Sequence, residues 1–160
     1  MSTSAGLDYV RAFCQAAEQV LQEVLCETPV RGTPVFQIGP SIALQPINVG
    51  VGITGDLTGH VNFGMDPATA HGVAGTMMME EVTELDEMAI SALSELANMI
   101  SGNARYFLNQ NGTSSDITPP SVLMGAAING TWHGVRAMSV PLTLGAGVIT
   151  LTVGIRAKES

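Results

Sequence analysis

The sequence predicts an α+β domain in which an antiparallel sheet packs with two longer helices and one short helix. Apolar residues recur at helical spacing in two long segments and at period two in several shorter ones. Their order is helix, strands, helix, helix, strands, and the lack of a regular βαβ alternation argues against a parallel sheet. With 160 residues, 46% of them hydrophobic, the chain is expected to form one domain over 1–160 with a substantial core.

Val10, Phe13, Ala17, Val20, Leu21, Val24 and Leu25 make one stripe of an amphipathic helix between Asp8 and Thr28, which Pro29 is expected to end. Cys14 and Cys26 share that helix at a separation of about 18 Å, beyond disulfide reach, so both are expected as reduced core thiols. From Pro34 to Asp66 the period becomes two. Ile47, Val49, Val51 and Ile53, then Val61, Phe63 and Met65, flank the turn signal Thr54-Gly55-Asp56 and predict an antiparallel hairpin. Asp66 followed by Pro67 is an N-cap with proline at the first helical position, opening a short helix into Met77, Met78 and Met79. Gly72 and Gly75 within it imply close packing.

Thr83 and Asp86 resemble a capping box at the start of the longest periodic segment, which runs to about Asn109 and is closed by Asn111-Gly112. A polar run through Asp116 leads to Pro119-Pro120, which force an extended entry into the segment beyond them. Val122 to Ile128, Val135 to Leu144 and Val148 to Ile155 are strand-like, joined by Asn129-Gly130 and Gly145-Ala146-Gly147.

Six Lys and Arg against fourteen Asp and Glu give a net charge of −8, which leaves no electrostatic footprint for nucleic acid or an anionic membrane. No stretch reaches the roughly 18 apolar residues of a membrane span, and the start, MSTSAGLDYVRAF, lacks a basic-then-apolar signal pattern, so the chain reads as cytoplasmic. Charged residues make up 12% of the chain, half the usual share of roughly 25%. That shortage, and an uncharged stretch from Leu144 to Ile155 taken as a sheet edge in need of cover, predict a homodimer with a two-fold interface formed partly by strands.

On a wheel of 100° per residue with Leu93 at zero, Leu85, Ala89, Leu96, Ala97, Ile100, Ala104 and Phe107 fall within roughly 80° and form a buried stripe. Ser91, Glu95, Asn98 and Gly102 fall opposite, between about 140° and 200°. A hydroxyl, a carboxylate and a carboxamide thus share one exposed face, with Glu95 and Asn98 as i,i+3 neighbours. A solvated face is the ordinary reading. Against it, Asn is a poor helix-interior residue, and Gly102 costs about 1 kcal/mol relative to Ala where no packing asks for it. Gly102, one turn beyond Asn98, would let another molecule's backbone come close.

The stretch Ser91-Ala92-Leu93-Ser94-Glu95-Leu96-Ala97-Asn98, continued by Met99-Ile100-Ser101-Gly102-Asn103-Ala104 and later Asp116-Ile117-Thr118-Pro119-Pro120-Ser121-Val122, resembles the CheC/CheX/FliY family of chemotaxis phosphatases. Their signature is Asp or Ser, three residues, Glu, two residues, Asn, and a proline some two dozen residues on. Ser91, Glu95 and Asn98 match it, and either Pro119 or Pro120 stands for the proline.

The resemblance implies a CheC/CheX-like fold and a helix that docks on a phosphorylated CheY-type receiver domain to speed hydrolysis of its aspartyl phosphate. Asn98 would position the attacking water, since a carboxamide can accept from and donate to one water without a charge that repels phosphoryl oxygens. Glu95 would pair with the active-site lysine of the receiver and so align the helix. Ser91, Gly102, Pro119 and Pro120 would contact the partner. The required Mg²⁺ would belong to the receiver, so this chain is expected to bind no cofactor and to hold no metal ligands. In the first helix the corresponding spacing offers only Cys14, Glu18 and Leu21, which leaves one site per chain and favours the CheX type, dimeric in the family. The alternative is a module of the same fold that binds a receiver domain or flagellar-switch component without turnover.

Other signals are weaker. Gly50-Val51-Gly52-Ile53-Thr54-Gly55 matches a dinucleotide fingerprint literally, but a period-two strand follows it instead of a helix. His60, His71 and His133 are scattered over three elements, with no ligand spacing. The run Met77 to Met79 reads as helix-end packing.

Overall fold

The computed structural model describes residues 3–37 and 41–157. Its helices are α1 (Thr3–Leu25), α2 (Pro67–Met78) and α3 (Glu87–Leu108), with a 3-10 turn at Gln110–Gly112. The strands before α2 are β1 (Val30–Arg31), β2 (Val35–Phe36), β3 (Ile42–Ala43), β4 (Ile47–Gly55) and β5 (Leu57–Met65). Those after α3 are β6 (Ser115–Ile117), β7 (Ser121–Met124), β8 (Asn129–Gly130), β9 (Met138–Leu144) and β10 (Gly147–Ala157). The main sheet runs β1-β9-β10-β5-β4-β6, with β2 also on β9 and β7 also on β4, and β3 pairs separately with β8. Every pairing is antiparallel, as the α+β reading requires. No helix among the described residues is long and apolar enough to cross a membrane.

The register places like with like. Val49 faces Phe63 and Val51 faces Val61, so period two puts both apolar sets of the hairpin in the core. The same core takes Phe13, Val20 and Leu21 from α1 and Leu93, Leu96 and Ile100 from α3. Burying each such side chain contributes about 1.5–3 kcal/mol against leaving it in water. The opposite sheet face carries Asn48, Asn62 and glycines. Asn62 Nδ2 donates to Asn48 Oδ1 at 2.9 Å and Asn48 Nδ2 to the Leu123 carbonyl, so the buried amides satisfy each other.

Asp66 caps α2 as its sequence predicts, accepting from Thr69 N at 2.8 Å. A Cβ on Gly72 would lie 2.8 Å from Ala146 Cβ, and one on Gly75 2.9 Å from the Glu80 carbonyl, so both glycines serve close packing. The dinucleotide-like glycines lie on β4, inside the sheet.

Several expectations need correction. The first helix stops at Leu25 because Cys26 adopts a left-handed conformation (φ 57°), before Pro29 is reached. Cys26 is therefore exposed instead of a core thiol, whereas Cys14 is buried and its thiol is pushed up to about 11 by that burial. Both cysteines are free. The long helix starts at Glu87 with Asp86 itself as N-cap, accepting from Ala89 N at 2.9 Å, so Thr83 and Asp86 form no capping box. Loss of such a cap costs about 1 kcal/mol. Leu85 accordingly precedes the helix. Asn109 caps its C-terminus, ahead of Asn111-Gly112. Asn129 and Gly130 are not a connecting turn but a two-residue strand on Ile42 and Ala43. The stretch Leu144 to Ile155 is no sheet edge either: β10 lies between β9 and β5, and the edges are the short strands β1, β2, β6 and β7. The period-two segment read from Pro34 crosses 38–40, which lie outside the described residues. Of the methionine run, Met77 and Met78 pack on the core, while Met79 is 92% exposed.

Candidate functional site

The α3 helix buries Ala89, Leu93, Leu96, Ala97, Ile100 and Ala104 against the sheet and α1, which turns Ser91, Glu95, Asn98 and Gly102 to the outside. Facing this side is the connection from β6 to β7. A groove of about 460 Å³ lies between them. Ser91, Ser94, Glu95 and Asn98 form its helix side, and Ile117, Thr118, Pro119 and Pro120 its opposite wall. The structure thus brings Ser91, Glu95, Asn98, Pro119 and Pro120 together, as their sequence pattern suggests.

Gly102 does not line the groove. It is exposed one turn further along, where an added Cβ would meet nothing within 4 Å, so the helix surface there is open. Ser94 and Thr118 line the groove without having been singled out in the sequence. Ser94 precedes Asn98 by one turn, a spacing that was available to find it.

Pro119 and Pro120 lack amide hydrogens and cannot pair with β4, so the wall stands away from the ladder. Its far end is tied to α3. Arg105 Nε donates to the Ser115 carbonyl at 2.7 Å, Asn109 Nδ2 to the same oxygen at 3.1 Å, and Ser115 N to Asn109 Oδ1 at 2.8 Å. These bonds hold helix and wall at a set separation.

Among the described residues Glu95 makes no ion pair: the acidic partners are Asp8, Glu18 and Asp116. An exposed, unpaired carboxylate next to a neutral carboxamide can take up a cation from a second molecule while the amide addresses a neutral or anionic group. The equivalent spacing on α1 is spent on structure. Cys14 and Leu21 are buried, and Glu18 accepts from Arg31 Nε at 2.9 Å and Nη2 at 2.7 Å. Among the described residues helix α1 therefore offers no second groove of this kind.

A larger cleft of about 570 Å³ opens elsewhere, against the sheet around His60, Asn62, Leu123 and Trp132. Trp132 Nε1 donates to the His60 carbonyl at 3.0 Å, and the two rings meet edge to face at 5.9 Å. Among the described residues no three His, Cys, Asp or Glu gather at metal-binding spacing.

A carboxylate and a carboxamide thus share one helix, facing a proline wall beside an antiparallel sheet. A crystallised chemotaxis protein CheX from Desulfovibrio desulfuricans shares the fold, with a TM-score of 0.81 over 94% of this chain and 99% of that one at 24% identity. The CheX–CheY–BeF3–Mg²⁺ complex from Borrelia burgdorferi matches with a TM-score of 0.76 and 29% identity over 92% of this chain and 97% of that one. The family described as chemotaxis phosphatase CheX matches residues 47–143, from the start of β4 into β9, and so includes the whole groove. The CheY-P phosphatase CheX of Thermotoga maritima is 32% identical over 136 residues, 84% of this chain and 86% of that protein. The chain belongs to the CheX family of chemotaxis phosphatases.

Proposed function

We propose that this chain hydrolyses the aspartyl phosphate of a CheY-type receiver domain, with Asn98 positioning the attacking water and Glu95 pairing with the receiver's active-site lysine. The observation that carries this reading is the side-by-side placement of an unpaired carboxylate and a carboxamide in a shallow, proline-walled groove on a rigid helix. The named activity of the Thermotoga relative and the CheY bound in the Borrelia complex support it.

Acyl phosphates are labile, so a catalyst needs chiefly to place water in line and avoid adding negative charge. The Asn98 carbonyl accepts one hydrogen of the water, directing a lone pair at phosphorus. As the new P–O bond forms, the bond to the aspartyl oxygen breaks and returns its electron pair to the receiver's carboxylate. The water's proton leaves with inorganic phosphate. Glu95, an anion, stays clear of the phosphoryl oxygens and spends its charge on the lysine. Ser91, Pro119 and Pro120 line the contact, and open helix surface at Gly102 admits the partner's backbone. The Mg²⁺ that neutralises phosphoryl oxygens belongs to the receiver on this reading, with no metal held by this chain. A receiver substrate also places the chain in the cytoplasm.

A binding module of the same fold would sequester the receiver without turnover. Phosphate release from a phosphorylated receiver at a tenth of its concentration of this chain separates the two: several turnovers per chain are expected, and a release rate equal to the receiver's own would refute the phosphatase reading.

We further propose a homodimer. The interior place of β10 removes one premise for it, but Leu123 and Met124 on β7 and Val30 and Val35 on β1 and β2 leave large apolar side chains exposed along both short-stranded edges. Light scattering is expected to give twice the 16.6 kDa chain mass, and a monomer mass would reject the dimer while leaving the groove untouched.

A further inference from the structure

The connection that walls the groove is held to β4 at one point. Ile53 pairs with Ile117 and Gly50 with Ser121, so Val51 and Gly52 face three residues, Thr118, Pro119 and Pro120. That is a one-residue bulge, and its two prolines can donate nothing to the ladder. Among the described residues Thr118 alone closes it. Its backbone N–H donates to the Gly52 carbonyl at 2.9 Å, and its Oγ1 accepts from Gly52 N at 2.8 Å while lying 3.3 Å from the Pro119 carbonyl it can donate to. The side chain thereby replaces the backbone acceptor that the bulge has displaced.

Gly52 is what makes room for this clamp. A Cβ there would stand 3.1 Å from both Cγ2 and Oγ1 of Thr118, closer than ordinary contact. Gly52 follows the fully buried Val51, so the clamp is seated on a strand that the core holds in place. The other end of the wall is fixed to α3 through the hydrogen bonds of Ser115 with Arg105 and Asn109. The wall is thus strung between two anchors, and the distance from Pro119-Pro120 to Asn98 depends on both.

We propose that Thr118, acting through Gly52, is a positioning residue for dephosphorylation: it sets the wall against which the receiver's phosphoryl loop comes to rest, and so the alignment of phosphorus with the water on Asn98. This inference rests on the phosphatase reading. Misplacement of reacting groups by about 1 Å can cost on the order of a hundredfold in rate, so a partial release of the wall is expected to lower turnover by about tenfold.

The test uses Thr118→Val, which keeps the shape and removes the hydroxyl; Thr118→Ser, which keeps the hydroxyl; and Gly52→Ala, which crowds the clamp. Single-turnover dephosphorylation is followed over a range of chain concentrations, with thermal unfolding alongside and Asn98→Ala as a control. Thr118→Val and Gly52→Ala are expected to lower the plateau rate about tenfold with half-saturation within about twofold of the parent, and Thr118→Ser to restore the plateau. Should Thr118→Val fail to fold, Gly52→Ala carries the same comparison. An unchanged plateau in the folded variants, or an equal loss in Thr118→Ser and Thr118→Val, overturns the inference while an inactive Asn98→Ala leaves the phosphatase reading standing. A wild-type chain that does not accelerate dephosphorylation overturns both.

Discussion

Asn98→Ala is expected to lower the rate of receiver dephosphorylation by about a hundredfold or more, with affinity for the phosphorylated receiver nearly unchanged. Loss of one preorganised polar group at the reacting centre typically costs 10²–10³ in rate, about 3–4 kcal/mol of transition-state stabilisation. Asn98 is exposed on α3, outside the buried stripe, so its truncation removes no core packing and the fold should persist. Affinity is insulated for a similar reason, because docking strength is assigned to the Glu95 ion pair, while the proline wall sets alignment. Steady-state phosphate release and receiver titration check the two halves separately. Wild-type turnover in the variant would refute the role given to Asn98.

Glu95→Lys is expected to cost the most in docking. Removing one charged partner of a charge-assisted bond typically loses about 1.5–3 kcal/mol, or about 10- to 100-fold in affinity, and the reversed charge adds repulsion between two cations. Glu95→Ala should show the smaller loss. Calorimetric titration with the phosphorylated receiver at low and moderate salt is the check, since an ion-pair defect narrows as screening rises. Equal affinity for wild type and Glu95→Lys would remove Glu95 from the interface.

The parts of this molecule that depend on local pattern were legible in the sequence. Asp66-Pro67 marks a helix start because cap and proline act within four residues, and the register of Val49 with Phe63 and of Val51 with Val61 comes from period two across a tight turn. The face of Ser91, Glu95 and Asn98 is a matter of helical angle alone. Pro119 and Pro120 reach it only because β6 and β7 both pair with β4, and the family signature stood in for that distant pairing.

The features that escaped depend on contacts between distant segments. Two-residue strands such as Ile42–Ala43 and Asn129–Gly130 are too short to show a period, so their pairing exists only in the folded sheet. The interior place of β10 is likewise invisible, because an uncharged stretch reads the same whether it is covered by neighbouring strands or by a second subunit. Thr83 and Asp86 are both capping types, and the start at Asp86 is decided by its bond to Ala89 N rather than by composition. The Thr118 clamp was missed for the same reason: it arises from a count of residues between Gly50 and Ile53 against those between Ile117 and Ser121.

The division of labour between the two groove residues is the central claim, and the single-turnover rate as a function of chain concentration measures it directly. Wild type, Asn98→Ala and Glu95→Ala would be compared with one phosphorylated receiver. Asn98→Ala should lower the plateau and leave the half-saturating concentration in place, whereas Glu95→Ala should raise the half-saturating concentration and recover most of the plateau. Two variants that change the same parameter, or an Asn98→Ala plateau equal to that of wild type, would contradict it.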